Sequence, residues 1–141
     1  MRRGQELVLL YEINGKDRER KLKLILVKLG IRIKLVQKEE YLEPLAYLAK
    51  LKESESGGEV YEGKLLGDEM MVLVGFSSGR IDALLSEIRK AKLDRINLKA
   101  VLTDYNKEWN SIQLCDELKK EHEAMAQMRA QQNTNVGSKN E

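Results

Sequence analysis

One cysteine, one histidine, one proline and one tryptophan in 141 residues close off several kinds of chemistry at once. A lone Cys115 excludes an internal disulfide and any metal site built on paired thiolates. The one candidate partner for a reactive thiol, His122, stands seven residues further along the same predicted helix, about 10 Å along its axis. A thiolate–imidazole couple needs hydrogen-bond contact, which this spacing does not give. Cys115 therefore reads as a packed residue and His122 as a residue near a helix end. Carboxylates remain as metal ligands, in Glu39-Glu40-Glu43 and Asp116-Glu117-Glu121. Clustered acids of that kind on helices read as solvated faces, so neither a metal nor a cofactor is expected.

Long apolar runs are missing too. Arg2 and Arg3 precede Leu7–Tyr11, but Glu12 ends that run well short of the apolar stretch of an export signal. No segment approaches the ~20 apolar residues that span a bilayer. The expectation is a cytoplasmic protein with no membrane partner.

What is present is a dense ionic surface around an aliphatic core: 34% charged and 42% hydrophobic residues, with one Phe and five Tyr. The length suits one domain. The net charge of +2 hides a basic block over residues 1–38, net +7, and an acidic block over 39–69, net −6. Such blocks offer a nucleic-acid surface only where they do not face and cancel each other.

Leu7–Tyr11 reads as a buried strand, followed by a helix with Asn14 as its N-cap and a buried stripe of Leu22, Ile25, Leu26 and Leu29. Gly30 stops the helix, and Ile31, Ile33 and Leu35 alternate with Arg32 and Lys34 as a strand. Pro44 starts a short helix through Leu45, Leu48 and Ala49, Glu53–Gly58 is a loop, and a weak strand is placed at Val60-Tyr61. The pattern then returns: a strand at Met70–Val74, a helix with Ile81, Leu84, Leu85 and Ile88, and a strand carrying Leu98, Ala100 and Leu102. A last helix begins at Asn110, which forms an N-x-x-Q capping box with Gln113 and buries Ile112, Cys115 and Leu118. Superposing Val8-Leu9-Leu10 on Val72-Leu73-Val74 sets Gly15 on Gly79, a shift of 64, while Val36 and Leu102 align with a shift of 66.

The expected fold is α/β: a small open sheet of about four core strands from two β-α-β-α halves, mostly parallel. The packed domain covers residues 1–125, and the polar residues 126–141 form a disordered tail. If the 44–51 helix alone carries the chain back, the two halves run parallel to each other, the preferred arrangement. If residues 58–66 add a traverse, the second half is reversed, and the alternative is a ferredoxin-like α+β sandwich.

Two loops at strand ends offer binding chemistry. Ser77-Ser78-Gly79-Arg80 sits between a strand and a helix start, where free backbone N–H groups and the helix dipole favour an anion and Arg80 adds a planar donor. Neither this loop nor the one at Asn14-Gly15 has G-x-G-x-x-G or a phosphate-loop Lys-Ser/Thr. Thr103–Asn110 carries the only Trp, with Thr103, Asn106 and Trp109 as candidate pocket groups. Trp109, just before the Asn110 cap, also suits a hydrophobic staple against Leu114.

The run Leu98-Lys99-Ala100-Val101-Leu102-Thr103, with Asn106, Trp109, Glu117-Leu118 and Glu121-His122, resembles a bacterial family numbered 3783 among domains of unknown function. Glu69-Met70, Gly75-Phe76 and Pro44–Leu48 are similar to it as well, so the resemblance spans about residues 7–122. It implies no activity, cofactor or catalytic residue.

The functional expectation is a non-enzymatic binding module for a small anionic ligand or a protein partner, using Ser77, Ser78, Gly79, Arg80, Thr103, Asn106 and Trp109. The alternative is nucleic-acid binding through Arg18, Lys21 and Lys28 of the basic first helix, with Arg32 and Lys34 on the next strand.

Overall fold

The computed structural model describes residues 5–139, with side chains through residue 131. Arg2, Arg3 and the last two residues of the polar tail lie outside the described residues. In chain order the elements are β1 (Leu7–Tyr11), α1 (Lys16–Lys28), β2 (Arg32–Leu35), a 3-10 turn (Lys38–Glu40), α2 (Leu45–Leu48), β3 (Met70–Val74), α3 (Ser78–Lys90), β4 (Leu98–Val101) and α4 (Ser111–Lys139). The sheet order is β2-β1-β3-β4. The fold is α/β, an open four-stranded mixed sheet built from two strand–helix–strand halves.

Burial follows from this order. β1 and β3 are central and covered on both faces, so every residue of each is buried, as unbroken apolar runs require. One face packs Val8, Leu10, Met71 and Leu73 against α1 and α3. The other packs Leu9, Tyr11, Met70 and Val72 against α2, α4 and the chain between β2 and β3. Gly30, at φ 74, ends α1 as expected, with the Ile31 N–H returning to the Leu26 carbonyl. Asn110 and Gln113 form both bonds of their capping box.

The two halves do not run parallel to each other. β1 pairs parallel with β2, and β3 parallel with β4, but β1 and β3 are antiparallel, with Tyr11 opposite Met70. The preferred direction is thus corrected, and the physical reason lies in residues 36–69. This segment leaves β2 and re-enters β3 at the same sheet edge, held there by carboxylates of the first half. Glu12 accepts from the Leu66 and Gly67 N–H groups, and Glu69 accepts from the Asn14 N–H and from Arg18. The result is not ferredoxin-like either, because each half keeps its two strands adjacent instead of splitting them.

Other local expectations are corrected as well. The N-cap of α1 is Gly15, at φ 98 and without a side-chain bond, while the Asn14 backbone N–H serves Glu69. No strand forms at Val60-Tyr61; the Tyr61 N–H makes one bond, to the Glu39 carbonyl, and Val60 is exposed. The register equates Leu7 with Met70, not with Met71, since Leu7 pairs with Arg32 and Met70 with Leu98. A shift of 64 between the halves would put Leu9 and Leu73, which lie on opposite faces, in equivalent positions. A one-residue slip flips every side chain of a strand. Apart from these corrections, helix α4 continues to Lys139, and every residue from Glu121 to Gln131 is exposed. Ala, Met, Gln and Arg there are strong helix formers that need no packing partner to favour the helical backbone.

Candidate functional site at the sheet edges

Both candidate loops follow the C-terminal ends of β3 and β4, at one edge of the sheet, and then part to opposite faces. Ser77 caps α3, its hydroxyl accepting from the Arg80 N–H at 3.3 Å. The Arg80 guanidinium is not free for a ligand. It grips the buried Glu6 carboxylate through Nε and Nη2, at 2.9 and 2.7 Å, and also donates to the Leu29 carbonyl. Glu6 is only 3% exposed, and a carboxylate at that depth needs such a partner. Arg80 thereby ties α3 to the start of β1 and the end of α1. Ser78 and Gly79 are exposed in the first turn of α3.

The second loop is pinned by Asn106. Its side-chain Nδ2 donates to the Val101 carbonyl at 3.1 Å, and its Oδ1 accepts from the Thr103 N–H at 2.9 Å. The Leu102 N–H points inward to Leu73, so the backbone groups of Val101 and Thr103 point away from β3. The Asn106 amide thus covers the outward groups at the C-terminal end of β4. Thr103 adds a hydroxyl that accepts from the Asn106 N–H. Trp109 packs beside the cluster that holds Leu114, as a staple would, and its carbonyl accepts from the Leu45 N–H. Tyr105 is 82% exposed and lies edge-on against Trp109, ring centroids 5.3 Å apart.

The opposite edge holds what the sequence reading did not single out. A cleft of about 870 Å³ lies between the β1–α1 turn, the chain before β3 and the α3–β4 turn, lined by Glu12, Arg18, Asp68, Asp94 and Arg95 among others. Arg18 closes on Glu69 with two bonds of 2.7 and 2.8 Å. Burial pushes the Glu69 carboxyl up, but hydrogen bonds from Arg18 and the Asn14 N–H outweigh it and hold the group below the usual range. Glu12, a non-glycine residue at φ 53, accepts from the Tyr41 hydroxyl at 2.6 Å as well as from Leu66 and Gly67. Burial, then the Glu12 carboxylate, raises the Tyr41 phenol. The available signal was a lone acid placed directly after an apolar strand, where turns concentrate.

The charge blocks do face each other. Lys34 pairs with Glu40 and Arg18 with Glu69 across the block boundary. On α1, Arg20 and Lys21 share Asp17, Lys23 meets Glu19, and Lys28 reaches Glu87 of α3. Two acids of the Glu39-Glu40-Glu43 cluster are engaged as well. Glu40 holds Lys34 and the Gln37 N–H, and Glu43 holds Ser56 and the Gly57 N–H. Cys115 is buried, which raises its thiol, and His122 is exposed on the projecting part of α4.

The elements of the second half also carry the family signal. Residues 69–125 match a domain of unknown function, DUF3783. The match begins one residue before β3 and ends within α4, so it takes in Ser77–Arg80, Asn106 and Trp109. The resemblance to that family is borne out over residues 69–125; the part of it drawn from residues 7–68, Pro44–Leu48 included, lies outside the matched residues. No curated protein and no solved structure matches the chain. In the DUF3783 half, Asn106 and Trp109 are held in the loop joining β4 to α4, and Tyr105 is that loop's exposed ring. Among the described residues, no helix is long and apolar enough to cross a membrane.

Proposed function

We propose that this chain is a non-enzymatic binding module that engages a protein partner at the strand-end edge, through the Thr103–Trp109 loop. The observation that carries the reading is Tyr105, a large ring left 82% exposed on a stiff platform. The platform is stiff because Asn106 bonds at both ends of the turn and the Lys107 and Trp109 carbonyls accept from α2. Exposed tyrosines supply contact area at low entropic cost and are enriched at interfaces. A small anion is the weaker form of the reading, since Arg80 is engaged by Glu6 and the Ser77 hydroxyl by its own helix. The cytoplasm suits a chain whose single thiol, Cys115, is free.

The test is affinity capture from native lysate with the wild-type chain and with Tyr105→Asp, whose fold is checked by melting. A protein retained by the first and lost by the second supports the reading. Equal retention, or no retention at all, removes it. A melting temperature raised by phosphate, sulfate or nucleotides would favour the small anion instead.

A further inference from the structure

We infer that the outer edge of β4 takes an extended, acidic segment of a protein partner as an added strand, with an apolar side chain of that segment seated in the groove between β4 and α3. The inference rests on the reading of the chain as a module for a protein partner and gives that partner a chemistry, on the strand that leads into the Tyr105 loop.

Two features of the edge point there. β4 is the last strand of the sheet, and among the described residues no strand pairs with its outer side. Because the Leu102 N–H serves Leu73, the alternation of a parallel ladder turns the backbone groups of Lys99 and Val101 outward. Asn106 covers the Val101 carbonyl and the Thr103 N–H. The Lys99 N–H and carbonyl and the Val101 N–H are left to a partner. Such a row is a template for strand addition.

Beside it lies a groove of about 290 Å³, lined by Leu85, Ile88, Leu93 and Ile96 and rimmed by Arg89, Arg95 and Lys99. No carboxylate lines it. Lys99 shares the face of its β3 neighbour Met71, half-buried over the groove, and its ammonium donates to the Ile96 carbonyl at 3.1 Å. Burial, then the nearby Arg95, lowers its pKa, the mark of a cation short of negative charge. Elsewhere on this surface the pattern is the reverse: Lys28, Lys34 and Arg18 each hold a carboxylate.

The charge decides among occupants. A second copy of this chain paired β4 to β4 would set Lys99 and Arg95 against their own duplicates, which opposes self-association. A carboxylate opposite Lys99 on an added strand is favourable for the same reason. Side chains two apart on that strand share the groove face, so the recognised pattern is an acid and a large apolar residue separated by one position. A small amphiphilic anion would satisfy the groove and the cations but not the outward backbone groups.

The test selects a displayed random peptide library on the full chain. Enriched peptides should carry the acid-x-apolar pattern and slow amide exchange at Lys99 and Val101. Lys99→Glu should weaken the enriched peptide by about tenfold and shift selection toward basic sequences. Leu93→Ser, at a partly exposed groove position, should weaken it without that shift, and both variants should melt as folded proteins. No enrichment, binding that survives both variants, exchange protection away from β4, or dimerisation through β4 overturns the inference. So does decanoate binding the groove while no peptide protects Lys99. Failure here with Tyr105→Asp still abolishing capture removes the β4 strand and leaves the module. The converse result removes the Tyr105 loop and leaves β4.

Discussion

Asn106 shows how a single side chain can be read from sequence as a ligand group and found in the structure as part of the backbone network. Its amide satisfies one outward acceptor and one outward donor beyond β4, and Gln37 makes a longer bond of the same kind, 3.4 Å, to the Leu35 carbonyl on β2. Asn106→Ala should therefore cost about 1–3 kcal/mol in urea unfolding, the range for leaving part-buried backbone groups unpaired. Asn106→Asp should cost a similar amount, because a carboxylate oxygen replaces the donor facing the Val101 carbonyl. Equal stability of all three proteins would show the turn to be held without the Asn106 amide, by its bonds to α2. A second residue-scale prediction concerns Glu69. Its folded pKa lies below the ordinary value of 4.5, so its contribution to stability is complete above that value and is lost as pH falls through the folded pKa. Glu69→Gln should lower the melting temperature at neutral pH, and the gap to wild type should narrow as the pH falls from the ordinary carboxyl range through the folded pKa. A gap independent of pH would mean that the carboxylate acts by shape and not by charge. The role of Glu69 was hidden because its partners, Asn14 and Arg18, lie more than fifty positions away. Asn110 and Gln113, by contrast, are three apart, and a local capping pattern is visible in any window that contains it.

At the scale of elements, strands and helices were legible because apolar spacing dictates them, whereas the segment between β2 and β3 was not. Residues 52–69 have little apolar periodicity, and their course is set by acids on other elements. Glu43 holds Ser56 and Gly57, Glu12 holds Leu66 and Gly67, and Lys119 of α4 donates to the Leu66 carbonyl. Under this strap lie Tyr11 and Tyr41, and the strap's own Tyr61 packs on Tyr41, each ring centroid within 5.7 Å of the next. Glu12 occupies its position at a cost, since φ 53 crowds the side chain of any residue but glycine. The variants Glu12→Ala and Glu12→Gly separate the two contributions. Both lose the acceptor for Leu66, Gly67 and Tyr41 and should cleave faster within 52–67 in limited proteolysis. The glycine variant should be the more stable by about 1 kcal/mol, since it alone relieves the backbone. If alanine proves equal or better, the turn carries no strain worth relieving.

On the scale of the whole molecule, the antiparallel meeting of β1 and β3 decides what each sheet edge contains. It sends Asn14 to the edge of the Glu69 cleft and leaves Ser77–Arg80 and Thr103–Trp109 at the other. That choice was invisible because either direction buries the same apolar strands; only the route of the strap distinguishes them. The same geometry sets where the packed body ends. Helix α4 is anchored by Leu114, Cys115 and Leu118, which face the sheet, and by Lys119, which reaches the strap. Beyond Lys120 its side chains are exposed as far as Gln131, including Met125 at 53% and Met128 at 58%. A helical extension of this kind contributes helix but little burial, and in proteins it is burial that sustains the fold. A chain ending at Met125 should therefore unfold within about 0.5 kcal/mol of the full chain, the range for surface changes, while its helical circular-dichroism signal falls. A chain ending at Cys115 should lose the Leu118 packing and the Lys119 bond together, and unfold at clearly lower urea. A large loss on removing only residues 126–141 would mean that the exposed face of α4, with Met125 and Met128, is covered in solution.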